Sequence, residues 1–587
     1  MSSSYSRYDP TVSLNHQETI LILPRPRALH RHNSFINFPL SWQDSQIQHH
    51  PLTTNSHGPA EYQLHTRPGP EILIFSAAPE GKRAALATLH QLRNQFGQHI
   101  PHLSIHDWPA FPTRGIMLDV SRDRVPRMDE LFTVVAQLAD LKINHLQLYT
   151  EHTFAYVGHD EVWRGWSPFT PDEICRLDEH CKHHGITLAA NQNCFGHLAS
   201  WFRFPKYAAL AEIQGTETPW SFYDFTRLGP FSLCPGDPGS IALIEDLLAQ
   251  LLPCFSSGMV NINSDETFDV GHGRSRDRVA KLGSAAVYFE FLGKVAQACR
   301  TRNFTPMFWA DIALNHAEAA DQIPEGLIAL AWGYEPDSKF ADWCHTLHRA
   351  GRETWVCPGT SSWRSITGRT TERRGNITAA VRDGLKHGAS GMLTCDWGDV
   401  GHRQQWPISL HGIAHAADAA WTGNGESINL QAESLHVFND RSLNIGGWLD
   451  RLGDADLGLR RSAGKPNRSN SPTVLRNATG LFALGLSNEP ARGTLAAWMS
   501  ALESVRAIAC ESPGTLRSQL DEEISHTLDV AEFAAQRGLQ RAGGAPMNNA
   551  RERLDAITRE HRRLWLARSR DGGLDHSCSF YDQLELL

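Results

Sequence analysis

From residue 114 to about 421 the chain alternates between two rhythms. Short apolar runs, rich in β-branched and aromatic residues, are each followed by a longer stretch with apolar positions three and four apart. The first rhythm predicts buried strands and the second amphipathic helices. Strands are predicted at GIMLDVS (115–121), HLQLYTE (145–151), TLAANQN (187–193) and MVNINSDE (259–266). Four more follow at PMFWAD (306–311), LIALAWGY (327–334), TWVCPG (354–359) and GMLTCDW (391–397). Helices between them include RMDELFTVVAQLADLK (127–142), PDEICRLDEHCKHHG (171–185) and SAAVYFEFLGKVAQACRTR (284–302). Several helical stretches end in glycine, which favours the left-handed turn that stops a helix. Eight strand–helix units predict an α/β chain built on a (β/α)8 TIM barrel. An open doubly wound sheet is the alternative, but no GxGxxG or GxxxxGK[ST] loop follows an early strand.

The flanks differ. Residues 1–110 carry a strand, EILIFSA (71–77), a helix, GKRAALATLHQLRNQF (81–96), and a hairpin or strand pair in 52–64. These predict a small α+β domain before the barrel at 111–424. Residues 425–475 are rich in Gly, Asn and Ser and read as a linker or long loop. Helical patterns return in 493–510, 515–541 and 547–568, predicting a helical region over 476–587. Within it Arg568 and Arg570 close a helix, and one of them is expected to pack beside the barrel or a neighbouring subunit.

Composition narrows the function. A net charge of −9 offers no basic field for nucleic acid. No run of 18 apolar residues exists to span a membrane, and MSSSYSRYDP lacks an apolar signal region. The 11 scattered cysteines include no CxxC pair, as expected of buried thiols in a reducing cytoplasm. The 17 tryptophans suit sugar faces as well as cores.

Barrel enzymes carry their chemistry at the C-terminal ends of the strands. Those ends hold Arg122 and Asp123, Glu151, Asn193 and His197, Asp265 and Glu266. Beyond strand four come Trp309 and Asp311, Trp332, Trp363, and Trp397 with Asp399. Asp265 and Glu266 are adjacent. Neighbours in a strand face opposite ways, so both reach one ligand only if the strand has ended. Adjacent acids do not readily flank a glycosidic bond from opposite faces, as a nucleophile and an acid set ~5 Å apart would. They suit a scheme in which one acid protonates the leaving oxygen and the other orients a nucleophile on the substrate, such as a 2-acetamido group.

At this point the chain resembles a known family. RGIMLDVSRD (114–123) is similar to the first barrel strand of glycoside hydrolase family 20, the β-N-acetylhexosaminidases, where R-G-x-x-L-D-x-x-R is usual. GITLAANQNCFGHL (185–198) resembles its third strand, NINSDET (261–267) its fourth, usually H-x-G-G-D-E, and FWADI (308–312) its fifth. The resemblance implies exo-acting, retaining hydrolysis of terminal β-linked N-acetylglucosamine or N-acetylgalactosamine through an oxazolinium intermediate. Asp265 would hold the acetamido N–H and Glu266 would be the general acid and then base. Arg114 would grip the sugar's 3- and 4-hydroxyls, and His197 would link Glu151 to Glu266. Trp309, Trp332, Trp363 and Trp397 would wall the acetamido group, with Asn193, Asp311 and Asp399 as further sugar-binding candidates. No cofactor or metal is implied; the partner is an N-acetylhexosamine glycan, and self-association is left open. Asn261, Asn263 and Ser264 replace the usual His, Gly and Gly, marking a divergent branch with the sugar epimer open. Strict N-acetylgalactosaminidase activity and non-catalytic glycan binding are the alternatives. A metal-dependent barrel hydrolase would need clustered ligands, yet no HxH follows strand one and no HExxH occurs.

Overall fold

The computed structural model describes residues 19–587 apart from 39–45, 54–55, 224, 464, 467–474, 477–479, 489–491, 514–517 and 587. The N-terminal segment read for a signal and most of the polar run 460–472 lie outside the described residues.

All eight predicted strands form and close a parallel barrel. In chain order they are Thr113–Asp119, His145–Tyr149, Thr187–Asn191, Met259–Asn261, Thr305–Trp309, Ile328–Trp332, Glu353–Cys357 and Gly391–Asp396. Closure comes where Gly391–Asp396 pairs along Thr113–Leu118. Met117, Tyr149, Met307, Trp309, Trp355 and Leu393 plug the lumen. Gly391 is small because a Cβ there would stand 2.6 Å from the Trp355 ring. Strand four is shorter than predicted and stops at Asn261. The reason is backbone conformation: Asn263, Ser264 and Glu266 all take positive φ, which no strand ladder accepts.

Amphipathic helices cover the outside. Met128–Asp140 buries Leu131, Val134, Val135 and Leu138, spaced three, one and three apart, at roughly 1.5–3 kcal/mol each. Pro171–His183 begins at a reciprocal cap in which Thr170 and Glu173 satisfy each other's backbone N–H groups. The fifth unit departs from the pattern: only Asp311–Asn315 and a 3-10 turn, Ala317–Gln322, follow strand five.

Ahead of the barrel, strands Ala28–Asn37, Gln48–Pro51, Tyr62–Arg67, Glu71–Ser76 and His99–Asp107 form one sheet beneath the helix Pro79–Phe96. The hairpin expected in 52–64 instead joins Tyr62–Arg67 to Glu71–Ser76. This sheet meets the barrel's lower end at a buried ionic node. Asp107 accepts hydrogen bonds from Tyr62 Oη (2.8 Å), Trp421 Nε1 (2.9 Å) and the Arg27 N–H (3.0 Å). Lys142 Nζ stands 3.1 Å from the same carboxylate and 4.4 Å from the Trp421 ring centroid.

Arg114 belongs to this lower end, which overturns its expected role at the sugar. It opens strand one, whereas ligands meet the strand's far end, five residues or ~16 Å away. Its guanidinium donates to the carbonyls of Lys142, Phe111 and Pro112 and pairs with Glu80 at 2.9 Å.

The stretch read as a linker at 425–475 is helical over much of its described length: Leu430–His436, Ile445–Leu452 and Leu457–Ala463. Its polar residues are caps rather than spacers. Asn429 caps the first helix through the Ala432 N–H, and Asp440 accepts from the Asn444 and Ile445 N–H groups. Leu435 and Trp448 bury the apolar faces. Leu495–Cys510, Gln519–Arg541, Ala550–Arg568 and Leu574–Asp582 complete a C-terminal helical region around Trp498, Phe533 and Leu554. Both flagged arginines reach the barrel. Arg568 pairs with Glu130 on the first barrel helix and with Glu523, and Arg570 pairs with Glu173 at 2.8 Å.

Replacing Asp107 by Ala strands the Lys142 ammonium in the junction. Breaking a buried pair this way costs about 3–5 kcal/mol, and denaturant unfolding of D107A should lose that much. A loss below about 1 kcal/mol would show that the node does not hold the two parts together.

Candidate active site

The turn after strand four builds the mouth of the barrel. Ile262 still bonds through its N–H to Met307 O, and then the chain leaves the sheet. Asn263 (φ 56°), Ser264 (φ 72°) and Glu266 (φ 55°) occupy the left-handed region, where glycine is the unstrained choice. Side-chain hydrogen bonds hold this strained turn. Asn263 Nδ2 donates to Asn191 Oδ1 (2.8 Å), and Trp309 Nε1 donates to Asn263 Oδ1 (2.6 Å). The Asn263 N–H donates to Asn261 Oδ1 (2.9 Å), and Tyr288 Oη donates to Ser264 O (3.0 Å). Gln147 Oε1 joins the floor by accepting from Asn191 and Asn261. The residues replacing the family's usual His, Gly and Gly thus form a compensated amide network under the acids.

Asp265 and Glu266 emerge from this turn on the same side. His197 Nε2 lies 3.2 Å from Asp265 Oδ2 and 3.2 Å from Glu266 Oε2. Neither contact has the alignment of a hydrogen bond, so both are ion pairs. Burial alone would lower the His197 pKa, but Asp265 and Glu266 outweigh it and push it up to about 10. The imidazole is therefore a cation at neutral pH. Behind it, Nδ1 lies 3.6 Å from Glu151 Oε1, and Glu151 also accepts from Tyr149 Oη (2.9 Å). Burial raises the Glu151 carboxyl against the opposing effect of Arg122 and His197. Glu151, His197 and Glu266 are brought together, but through ion-pair contacts of 3.6 and 3.2 Å rather than a hydrogen-bonded relay, and Arg122 Nη2 lies nearer to Nδ1 than Glu151 does, at 3.4 Å.

Arg122 occupies the place that sequence reasoning gave to Arg114. It stands past the end of strand one, bonded to Asp119 (3.1 Å), 3.5 Å from Glu151 and 4.0 Å from Asp399. Its guanidinium lies 4.6 Å over Tyr149 and 4.8 Å over Trp397. The signal was available: the second arginine of the R-G-x-x-L-D-x-x-R pattern is eight residues on, beyond the strand. The C-terminal region fixes the loop that carries it. Arg570 N–H donates to Val125 O, His576 Nδ1 lies 2.7 Å from Asp123 Oδ1, and a side chain on Gly573 would strike Asp123 O at 2.1 Å.

Asp311 is already engaged by the protein on both carboxylate oxygens. It sits beneath the pair, accepting the Glu266 N–H on Oδ2 (3.0 Å) and Trp332 Nε1 on Oδ1 (3.3 Å). Burial, then Asp265 and Glu266, drive its carboxyl well above the usual range. Asn193 is also turned away from sugar binding, since its Nδ2 donates to Thr150 O (3.4 Å) between two loops. Three of the four tryptophans gather around Tyr334. Trp332 stacks on Tyr334 at 5.2 Å, Trp363 meets the same ring edge-on at 5.1 Å, and Trp397 Nε1 donates to Tyr334 Oη (2.8 Å). Trp309 is the exception in role, because its N–H braces the strained turn.

Tyr223 was missed. It tips a hairpin inserted after strand three, and its hydroxyl donates to Glu266 Oε1 (2.9 Å). No periodic pattern marks a single residue on so long a loop.

His197, Asp265 and Glu266 have ligand atoms within 4.8 Å of one another, the one such cluster of three among the described residues. The two carboxylates that would attract a cation here already face the His197 imidazole, at 3.2 Å each.

Residues 111–358 match the catalytic-domain model of glycosyl hydrolase family 20. The chain is 25% identical over 270 residues to a beta-hexosaminidase of Akkermansia muciniphila, covering 40% of this chain and 52% of that protein. It is 23% identical over 307 residues to a beta-hexosaminidase of Vibrio furnissii, covering 43% and 49%. The chain thus spans about half the length of these curated relatives. A beta-N-acetylhexosaminidase crystal structure aligns at TM-score 0.56 and 19% identity over 72% of this chain and 95% of its own. A Vibrio harveyi GH20 exo beta-N-acetylglucosaminidase in complex with N-acetylglucosamine aligns at 0.56 and 16%, over 77% and 81%. At these identities the structural likeness speaks to the fold.

His197 gives a pH prediction. Its folded pKa of about 10 stands above the ordinary 6.5, so its stabilising contribution is complete below 6.5 and fades as pH rises to 10. The Tm gap between wild type and His197→Asn should be widest below pH 6.5 and close toward pH 10. A gap constant across that range would contradict the charged-imidazole assignment.

Proposed function

The chain belongs to glycosyl hydrolase family 20, and on that premise we propose that it is an exo-acting, retaining β-N-acetylhexosaminidase. Its substrate is a glycan ending in β-linked N-acetylglucosamine or N-acetylgalactosamine. The observation that carries this reading is the shared origin of Asp265 and Glu266. Both leave one turn on one side and share one imidazole, so they do not straddle a glycosidic bond as a nucleophile and an acid would. A nucleophile carried by the substrate meets that geometry.

The steps balance without a cofactor. Glu266 gives its proton to the glycosidic oxygen as the C1–O bond breaks. The 2-acetamido carbonyl oxygen closes on C1, and the nitrogen takes up positive charge in the oxazolinium ring. Asp265 accepts the acetamido N–H and stabilises that charge in a site walled by Trp332, Tyr334 and Trp397. Water then attacks C1, its proton passes to Glu266, and the acetamide re-forms. C1 is inverted twice, which retains the anomer. Arg122 and Asp399 supply a fork of donors and an acceptor for neighbouring sugar hydroxyls.

Removing a general acid costs about 10²–10⁴ in rate. Glu266→Gln should lose that much kcat on 4-nitrophenyl N-acetyl-β-glucosaminide or its galacto epimer, and Asp265→Asn should also lose kcat. Wild-type turnover by Glu266→Gln would remove the acid from its role. Turnover confined to the galacto epimer would establish strict N-acetylgalactosaminidase activity.

A further inference from the structure

The third strand-to-helix loop carries an element that the proposed chemistry has not used. Trp220–Phe222 and Phe225–Arg227 form a short antiparallel hairpin, with Trp220 opposite Arg227. It is anchored, since Trp220, Phe222, Phe231 and Ile213 form their own buried cluster with Phe268 against it. The anchor leads back to the acid: the Phe268 N–H donates to Glu266 O at 2.7 Å.

At the hairpin tip Tyr223 is strained and exposed at once. Its φ is 51°, outside the range a bulky residue takes freely, and 42% of its surface is open. Such strain, of order 1–3 kcal/mol, persists where the surroundings impose it and is concentrated at functional sites. Here the ring packs edge-on against Phe268 at 5.1 Å, and the hydroxyl points at Glu266 Oε1. Partial burial, with Glu266 and Asp311 beside it, raises the phenol's pKa, so it remains a donor. The other Glu266 oxygen faces His197. The oxygen that must meet a glycosidic oxygen, at about 2.6–3.2 Å, is therefore the one the phenol holds.

Arg227 stands on the same hairpin. Its guanidinium lies 4.5 Å over Phe231 and 4.9 Å over Phe222, held by cation–π contact with the two rings. Among the described residues no carboxylate lies within ion-pair distance of it, although Glu266 and Glu151 act on its charge. Next to it Leu228 is 61% exposed. An amphipathic ring, a fixed guanidinium fork and an apolar side chain together suit a pyranose, which has an apolar face and paired hydroxyls.

We propose that the Trp220–Arg227 hairpin is the leaving-group site, in which Tyr223 holds the place of the glycosidic oxygen until substrate displaces it, and Arg227 then binds hydroxyls of a departing sugar. This rests on Glu266 as the acid. It selects as substrate a glycan whose terminal N-acetylhexosamine is joined to another pyranose, over conjugates with a small aglycone.

The test compares two substrates in the full-length protein: a 4-nitrophenyl N-acetyl-β-hexosaminide and a disaccharide with the same N-acetylhexosamine β-linked to a hexose. For Arg227→Met the ratio of disaccharide to aryl kcat/KM should fall about tenfold, the scale of one lost charged hydrogen-bonding site. For Tyr223→Ala, which also removes the hydroxyl that holds Glu266, the same ratio should fall, and a thermal unfolding transition like that of wild type should report a folded protein. Equal loss on both substrates, or an unchanged ratio in both variants, would overturn the hairpin's role while leaving the hydrolase reading intact. A wild-type protein that cleaves neither substrate would overturn both.

Discussion

The mouth of this barrel is governed by one electrostatic constraint. Asp119, Glu151, Asp265, Glu266 and Asp311 converge there, and Arg122 and His197 stand against them. Acidic groups gathered this closely repel one another, and a cation between them offsets that repulsion. His197 is that cation for the acid pair, pushed to a pKa of about 10 by the charges it separates. Arg122 serves Asp119 and Glu151 in the same way. Asp311, which has no ion-pair partner among the described residues, is driven toward its protonated form.

The rest of the molecule makes that concentration of charge tenable. A strained turn with three left-handed non-glycine residues presents the acids, and an amide network from strands two to four, with the Trp309 N–H, pins it. The loop carrying Arg122 is clamped from outside by the chain around Arg570, Gly573 and His576, so the C-terminal helices contribute to the site by bracing that loop. At the opposite end, the Asp107–Lys142 node and Arg114 join the N-terminal sheet to the barrel floor.

The barrel was legible because its signal is repeated eight times, and an error in one strand leaves the architecture unchanged. The acid pair stood out because it closes an apolar, β-branched run, MVNINSDE, and so marks a strand end. What escaped reading depends on geometry that periodicity does not encode. Arg114 and Arg122 both belong to one pattern, and only their position along strand one separates floor from mouth. Asn263 and Ser264 looked like departures, but their side chains make the hydrogen bonds that stabilise the left-handed turn. Asp311 was visible as a strand-end acid, yet its partner is the Glu266 backbone N–H. The 425–475 region read as linker because capping residues and loop residues are the same residue types.

If the substrate's own amide is the nucleophile, its basicity controls the rate. The direct measurement is kcat/KM for aryl N-acyl-β-hexosaminides in which the acetyl group carries zero, one, two and three fluorines. Each fluorine weakens the carbonyl oxygen, so a steep, progressive fall across the series is predicted. A flat series would mean that a protein carboxylate attacks C1. It would contradict Asp265 as the group that orients the acetamide and Glu266 as the proton donor beside it.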